Sequence, residues 1–554
     1  MPLSNNAADR SERVVDNDGT VEISHVTLRS PLPVEFPSHP EGLDHLTYLR
    51  YRLVDGPREA AAADAILLIQ PGNYGGPYSL DPLARATLVA AAAKGRTVEF
   101  WALARRSEGT QDSTGIEAAR AAGDPGIAVD YYFRGKEIGG RVFEGFRGGD
   151  AMPYLAELGF AQVVRDTFEV VTRELPDPAV RREKLFIGGH SGGASVMAAF
   201  GSWDFDGVPG HEYCKGFIAL DTPFDCDFGT RSNPVLRAVS LPVRLVGGAL
   251  YPLVVAAVRK GLLSTHSGRI VAELFYTMRI LAVAAHFTPE REATLLREIR
   301  ELVATTETGR LWNLVLRANF APTLWDAIRR EPLRYRLTCA AEFGSLVGTG
   351  VTVHPLRVAM GSLDGPARAR RFPVPAWAWR IPLLRGPLWF ALGHKPLTSP
   401  ADPDHLYGWR NTVGESQSAD AAAIARAMMG EQTSMLEPYH ATRFQIDQFF
   451  ALAGIRTGDL AAITHERGMR AKPLVSLFEG HVPLVHYLTF MNLGVAHVFP
   501  GYSHVDIVSA AARPDGTPEP ISDKLTDFLV AHTAPAVRPR LRAVGSEAPL
   551  AEGL

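Results

Sequence analysis

Gly189-His190-Ser191-Gly192-Gly193 sets a serine between small residues in a G-x-S-x-G pattern. The run before it, Lys184 to Gly188, is short and apolar after one charge, as a buried parallel strand would be. Ala194 to Phe200 follows with Ala, Val, Met and Phe around one serine, the composition of a buried helix. A serine on such a strand-to-helix turn is pushed out of the sheet as a nucleophile, and the helix N-terminus offers N–H groups to a developing oxyanion.

A nucleophilic serine needs a base that titrates near neutral pH, normally an imidazole. Seventeen histidines are present, so position must select one. His504 stands in the turn Gly501-Tyr502-Ser503-His504, after a run (494–500) that reads as the last strand of a sheet. Val505 to Val508 then opens a closing helix. Serine and histidine far apart, each at the end of a strand, point to acyl-transfer chemistry through Ser191 and His504.

Elements that hold such a pair are legible around it. Ala65 to Gln70 reads as a buried strand ending in Pro71-Gly72-Asn73-Tyr74-Gly75-Gly76. A helix is expected from about Asp81 to Ala93, and Thr97 to Leu103 reads as the next strand. Val21 to Leu28 and Leu46 to Leu53 alternate as half-buried strands, joined by a proline-rich connection.

With the elbow, the histidine turn, the strand and loop at 65–76 and the strand at 97–103 in order, the chain resembles the α/β-hydrolase superfamily, in its serine-nucleophile, esterase and lipase-like branch. The resemblance covers roughly residues 45–225 and 470–535. It implies an α/β fold, a mostly parallel sheet flanked by helices, with a large helical cap. It implies an oxyanion hole from the backbone of Gly192 and of the loop after the first core strand, at Asn73 or Tyr74, with Asn73 preferred. Pro71-Gly72 replaces the superfamily's usual His-Gly there, and Ala104, before Arg105-Arg106-Ser107-Glu108-Gly109, replaces a structural Asp.

The superfamily draws the acid that orients the histidine from the loop after the penultimate strand. Pro473 to Phe478 reads as that strand, and Glu479 is the only carboxylate between Pro473 and His504, so Glu479 is the expected partner. The rival is Asp221, after the run Phe217 to Leu220, where lipase relatives place their acid.

The expected organisation is a mobile arm (1–19), a first core part (20–225), a mainly helical cap (226–470), a second core part (471–535) and a disordered tail (536–554). Within the cap, Thr288-Pro289-Glu290 reads as a helix start ahead of the stripe Leu295, Leu296, Ile299, Leu302 and Val303. Asp420 reads as the N-cap of a helix to Met429. Trp377, Trp379, Trp389 and Phe390, among prolines, suit either an apolar wall over Ser191 or ordinary packing, and together favour a bulky apolar substrate.

Bulk properties fit an enzyme with a large core: 46 % hydrophobic residues and a net charge of −3, which recommends neither nucleic acid nor an anionic membrane as partner. Three cysteines argue against a disulfide framework. The polar start has no apolar signal core, and no apolar run reads as long enough to span a bilayer, Tyr251 to Val258 coming nearest; the cytoplasm is the default location. His394, His405, Asp402 and Asp404 lack the spacing of a metal site, so neither metal nor cofactor is expected.

The function expected is hydrolysis of a small or polymeric carboxylic ester through an acyl-enzyme. An acyltransferase or polyester-metabolising enzyme is the alternative. Gly192-Gly193 is similar to the box of polyhydroxyalkanoate synthases, which use Cys where this chain has Ser191. A non-catalytic binding module is the third reading, disfavoured because serine and histidine are both present.

Overall fold

The computed structural model describes residues 9–225, 234–352, 356–370, 372–374, 377–381, 388, 397–413, 418–480, 494–512 and 515–534. Nine strands form its main sheet: β1 Arg10–Asn17, β2 Val21–Arg29, β3 His45–Leu53, β4 Ala65–Gln70, β5 Val98–Leu103, β6 Leu185–His190, β7 Gly216–Leu220, β8 Leu474–Glu479 and β9 Val495–Phe499. Their order across the sheet is β1-β2-β3-β5-β4-β6-β7-β8-β9. The first four in that order pair antiparallel. From β5 onward every pairing is parallel.

Parallel strands need crossovers, and helices supply them on both faces. The helices used below are α1 Asp81–Ala93, α2 Phe160–Glu174, α3 Gly192–Ser202, α4 Leu241–Arg259, α5 Arg269–Phe287, α6 Cys339–Val347, α7 Ala421–Met428, α8 Thr442–Leu452 and α9 Pro520–His532. Strand β4 shows why the sheet is the core. Leu67 and Ile69 join the apolar cluster holding α1 and α9, while Ile66 and Leu68 join the one holding α2 and α3. All five of its apolar residues are fully buried, and alternate side chains reach opposite faces.

The elbow is fixed by glycines. A Cβ on Gly189 would lie 2.2 Å from the Gly193 carbonyl carbon, and one on Gly193 would lie 2.2 Å from the Gln70 oxygen. Only at this close approach can α3 start directly from the end of β6.

Several expectations are corrected. Residues 10–17, read as part of a mobile arm, are an edge strand. Its alternating charges are tied to the core by Arg10 on Glu174 and Glu12 on Arg50, so polarity there marks an exposed edge rather than disorder. Thr288-Pro289 ends α5 rather than starting a helix. Its successors bond to the 337–340 segment, and the next helix opens at Leu295, carrying the expected apolar stripe to Val303. Two helices, α4 and α5, are long and apolar enough to cross a bilayer by length and composition. Arg244 interrupts the first as a run of residues but not as a helix of 19. Most of α5 is inside the protein; α4 is 17 % buried. The tail from 535 lies outside the described residues.

Candidate active site

Register brings four strand ends together. His190 pairs with Leu220, Leu220 with Leu477, and Glu479 with Phe499. Ser191, Asp221, Glu479 and the turn carrying His504 therefore lie along one edge of the sheet. Ser191 N–H donates to Leu220 O at 3.0 Å, and Asp221 N–H to Leu477 O at 2.8 Å.

Ser191 has φ 53° and ψ −126°, a conformation that a side chain rarely adopts, held by those bonds and by the glycines around it. Asp221 also has positive φ, 51°. That turn aims its carboxylate at the histidine: His504 Nδ1–H donates to Asp221 Oδ2 at 2.5 Å. The other Asp221 oxygen accepts the Glu479 N–H at 2.7 Å. The carboxylate on His504 Nδ1 is thus Asp221, where Glu479 was expected. Glu479 is buried beside the pair, and burial followed by the charge of Asp221 pushes it up to about 7.

With strand order, elbow and histidine turn in place, the architecture is settled by the molecule itself. The chain has the α/β-hydrolase fold. It is similar in structure to the peroxisomal α/β-hydrolase Lpx1 of Saccharomyces cerevisiae, at 11 % identity and a TM-score of 0.35, covering 95 % of this chain and 94 % of that one. The juvenile hormone epoxide hydrolase of the silkworm Bombyx mori matches at 11 % identity and a TM-score of 0.31, covering 92 % and 78 %. A lipase in its open form matches at 13 % identity and a TM-score of 0.28, covering 92 % and 99 %. No family model and no curated protein matches the sequence.

Burial lowers the His504 pKa, but the Asp221 hydrogen bond and the charges of Asp221 and Glu479 outweigh it and raise it above 6.5. His190, inside the pentapeptide, behaves oppositely. Its ring lies 4.6 Å from that of His504, and its Nε2–H donates to the His504 carbonyl at 2.9 Å. Burial and the neighbouring imidazole push His190 down to about 3, so it stays neutral and braces the turn. The same turn is held by Asp506, which accepts from Ser503 N and Oγ at 2.9 and 2.6 Å and from Ala359 N, in the insertion, at 2.8 Å.

The loop after β4 lies against the elbow. A Cβ on Gly72 would be 3.0 Å from Ser191 Cβ, and one on Gly192 would be 2.2 Å from Asn73 Oδ1. Asn73 Nδ2 donates to Gln448 of α8 at 3.0 Å. The loop is pinned from behind by Arg105, whose guanidinium donates to the carbonyls of Pro71, Gly72 and Gly75 and forks onto Glu437. Glu437 also accepts from Ser107 and His440, and its own N–H donates to Tyr74 O at 2.8 Å. Burial opposes the Glu437 charge, yet Arg105 and His440 hold it well below the usual carboxylate range. The task of this arginine turn is hidden from local sequence, because its partner lies 332 residues away.

Beside the loop is an apolar cavity of about 180 Å³, lined by Tyr74, Phe275, Met278, Leu356, Met435 and Leu436 among others. Tyr74 follows Asn73, and Leu356 precedes Arg357, whose charge acts on His504. The cavity thus takes one wall residue from that loop and one from the segment next to Arg357. Trp377, read as part of an apolar wall or of ordinary packing, is 63 % exposed, and Trp389 and Phe390 lie outside the described residues. A larger polar cavity of about 360 Å³, behind Arg105, contains none of the expected site residues. Among the described residues no group of three His, Cys, Asp or Glu could hold a metal; His394 lies outside them.

Proposed function

We propose that this chain is a serine hydrolase of apolar carboxylic esters, with Ser191 as nucleophile, His504 as base and Asp221 as the orienting acid. The observation that supports it most is the Asp221–His504 hydrogen bond at the sheet edge that carries Ser191 in its strained turn. The imidazole, held by Asp221 with its proton on Nδ1, takes the Ser191 proton on Nε2 as the hydroxyl oxygen attacks the ester carbonyl. The N–H groups of Gly192 and Asn73 stabilise the oxyanion in a loop that Arg105 keeps from yielding. The protonated imidazole returns its proton to the departing alcohol. Water, deprotonated by the same base, then attacks the acyl-enzyme and releases the acid and Ser191.

The apolar cavity supports an acyl group of low polarity, since its wall is almost wholly aliphatic, thioether and aromatic surface. The test is hydrolysis of nitrophenyl esters from acetate to octanoate by the full chain and by Ser191→Ala. Turnover that vanishes in a variant with unchanged circular dichroism supports the reading. Equal turnover in both, or none in either, overturns it.

A further inference from the structure

Helix α4 has two unlike faces. Inward, Tyr251, Val255 and Val258 are buried, and the Tyr251 hydroxyl donates to Asp447 of α8 at 2.8 Å. Gly247 lets the helix approach Ile455 closely, where a Cβ would be 2.7 Å from the Ile455 side chain. Outward, Leu245, Val246, Leu250 and Leu253 face solvent, flanked by Val239 before the helix and Leu262 after it. Their exposure runs from 46 % at Leu250 to 75 % at Leu262. A water-soluble surface rarely shows so long a stripe of large aliphatic side chains without a partner.

Charge indicates what covers it. Between residues 234 and 263 stand Arg237, Arg244, Arg259 and Lys260 and not one acidic residue, in a chain whose net charge is −3. Arg259 is shared with Glu157, and Lys260 is exposed. Aliphatic side chains on one face and basic residues at the helix ends match the acyl region and the anionic headgroups of one leaflet. A second copy would set these basic ends against their like. The inward face is fixed to the protein by the Tyr251–Asp447 bond and by Arg443, which donates to both. The helix thus lies along a surface rather than crossing it.

We propose that the outer face of α4 docks this protein on an anionic lipid bilayer. The docked helix is one element away from the site: α4 packs on α8, and Gln448 of α8 accepts the Asn73 side-chain N–H. A lipid surface at α4 would deliver apolar esters near the loop that bears Asn73.

The experiment is flotation of the full chain with phosphatidylcholine vesicles, with and without phosphatidylglycerol, at low and high salt. Its readout needs no catalysis and so stands apart from the reading of Ser191. Expected is flotation with the anionic vesicles that weakens with salt, and a loss of about tenfold or more in the double variant Leu245→Glu, Leu253→Glu. A single variant, Lys260→Glu, should weaken binding by about fivefold at low salt. Both variants should keep the wild-type melting curve. No flotation of the wild type, or equal flotation of the double variant, overturns the proposal. A dimer seen by light scattering, dispersed by the double variant and indifferent to vesicles, would assign the face to a second copy and overturn it as well.

Discussion

Replacing Asp221 with Asn leaves size and fold almost unchanged and alters one proton. The introduced amide can still accept the Glu479 N–H through its carbonyl oxygen, the bond that spans 2.7 Å in the native chain. Its NH₂ group would then face His504 Nδ1 at the position of the 2.5 Å contact. An amide N–H there requires Nδ1 to accept, which puts the imidazole proton on Nε2, where it cannot take one from Ser191. Loss of this tautomer in a serine triad costs about four orders of magnitude in kcat. At about 1.36 kcal/mol per tenfold this is roughly 5.5 kcal/mol of transition-state stabilisation. Glu479→Gln removes a neighbouring charge without touching the tautomer and should cost less than about tenfold by comparison. The assay is kcat/KM on a soluble nitrophenyl ester, with circular dichroism to confirm folding. A Glu479→Gln loss of several orders beside a mild Asp221→Asn effect would refute the reasoning and return the acid to Glu479.

Arg105→Met should leave Glu437 buried without its principal cation, lowering stability by about 3–5 kcal/mol in urea unfolding. Arg105→Lys should not restore it, because an ammonium cannot serve three carbonyls and a carboxylate in one plane; full rescue by Lys would count against the clamp. The His504 imidazole must be neutral to act as base. Its raised pKa therefore places the acid limb of kcat/KM above 6.5, with activity rising as pH rises through it. Glu479→Gln removes a charge that favours the imidazolium, so the limb should move to lower pH; an unmoved limb would contradict that coupling. Met278→Trp should fill the apolar cavity and penalise hexanoate and octanoate esters over acetate by about 1–3 kcal/mol per excluded methylene, read as relative kcat/KM. An unchanged chain-length profile would move the acyl site elsewhere.

Local pattern carried much of the fold. Strand β4 and helix α1 run over the residues their apolar spacing predicts, and Asp420 caps its helix by accepting from Ala422 N. These elements are decided by neighbours in the chain. The elbow is partly local, its glycines meeting each other, and partly long-range, Gly193 meeting strand β4. What sequence did not yield depends on long-range register. Asp221 and Glu479 both end strands, and the pairing of Leu220 with Leu477, with the positive φ at 221, sets which carboxylate reaches the imidazole. The tie from Arg105 to Glu437 joins a turn of the core to the insertion, and the bond from His190 to the His504 carbonyl, 2.9 Å long, spans two distant segments. The first strand was missed for a related reason: its charges are solvated on an edge, and only pairing with β2 distinguishes it from a loose arm.

The central claim is that Ser191 is an activated nucleophile. Intact-mass spectrometry after treatment with a fluorophosphonate, followed by peptide mapping, measures that directly. The account predicts one adduct, located on Ser191 and absent from Ser191→Ala and, at matched times, from Asp221→Asn. A folded protein that takes no adduct, even from a small organophosphate, or takes it on another residue, would contradict it.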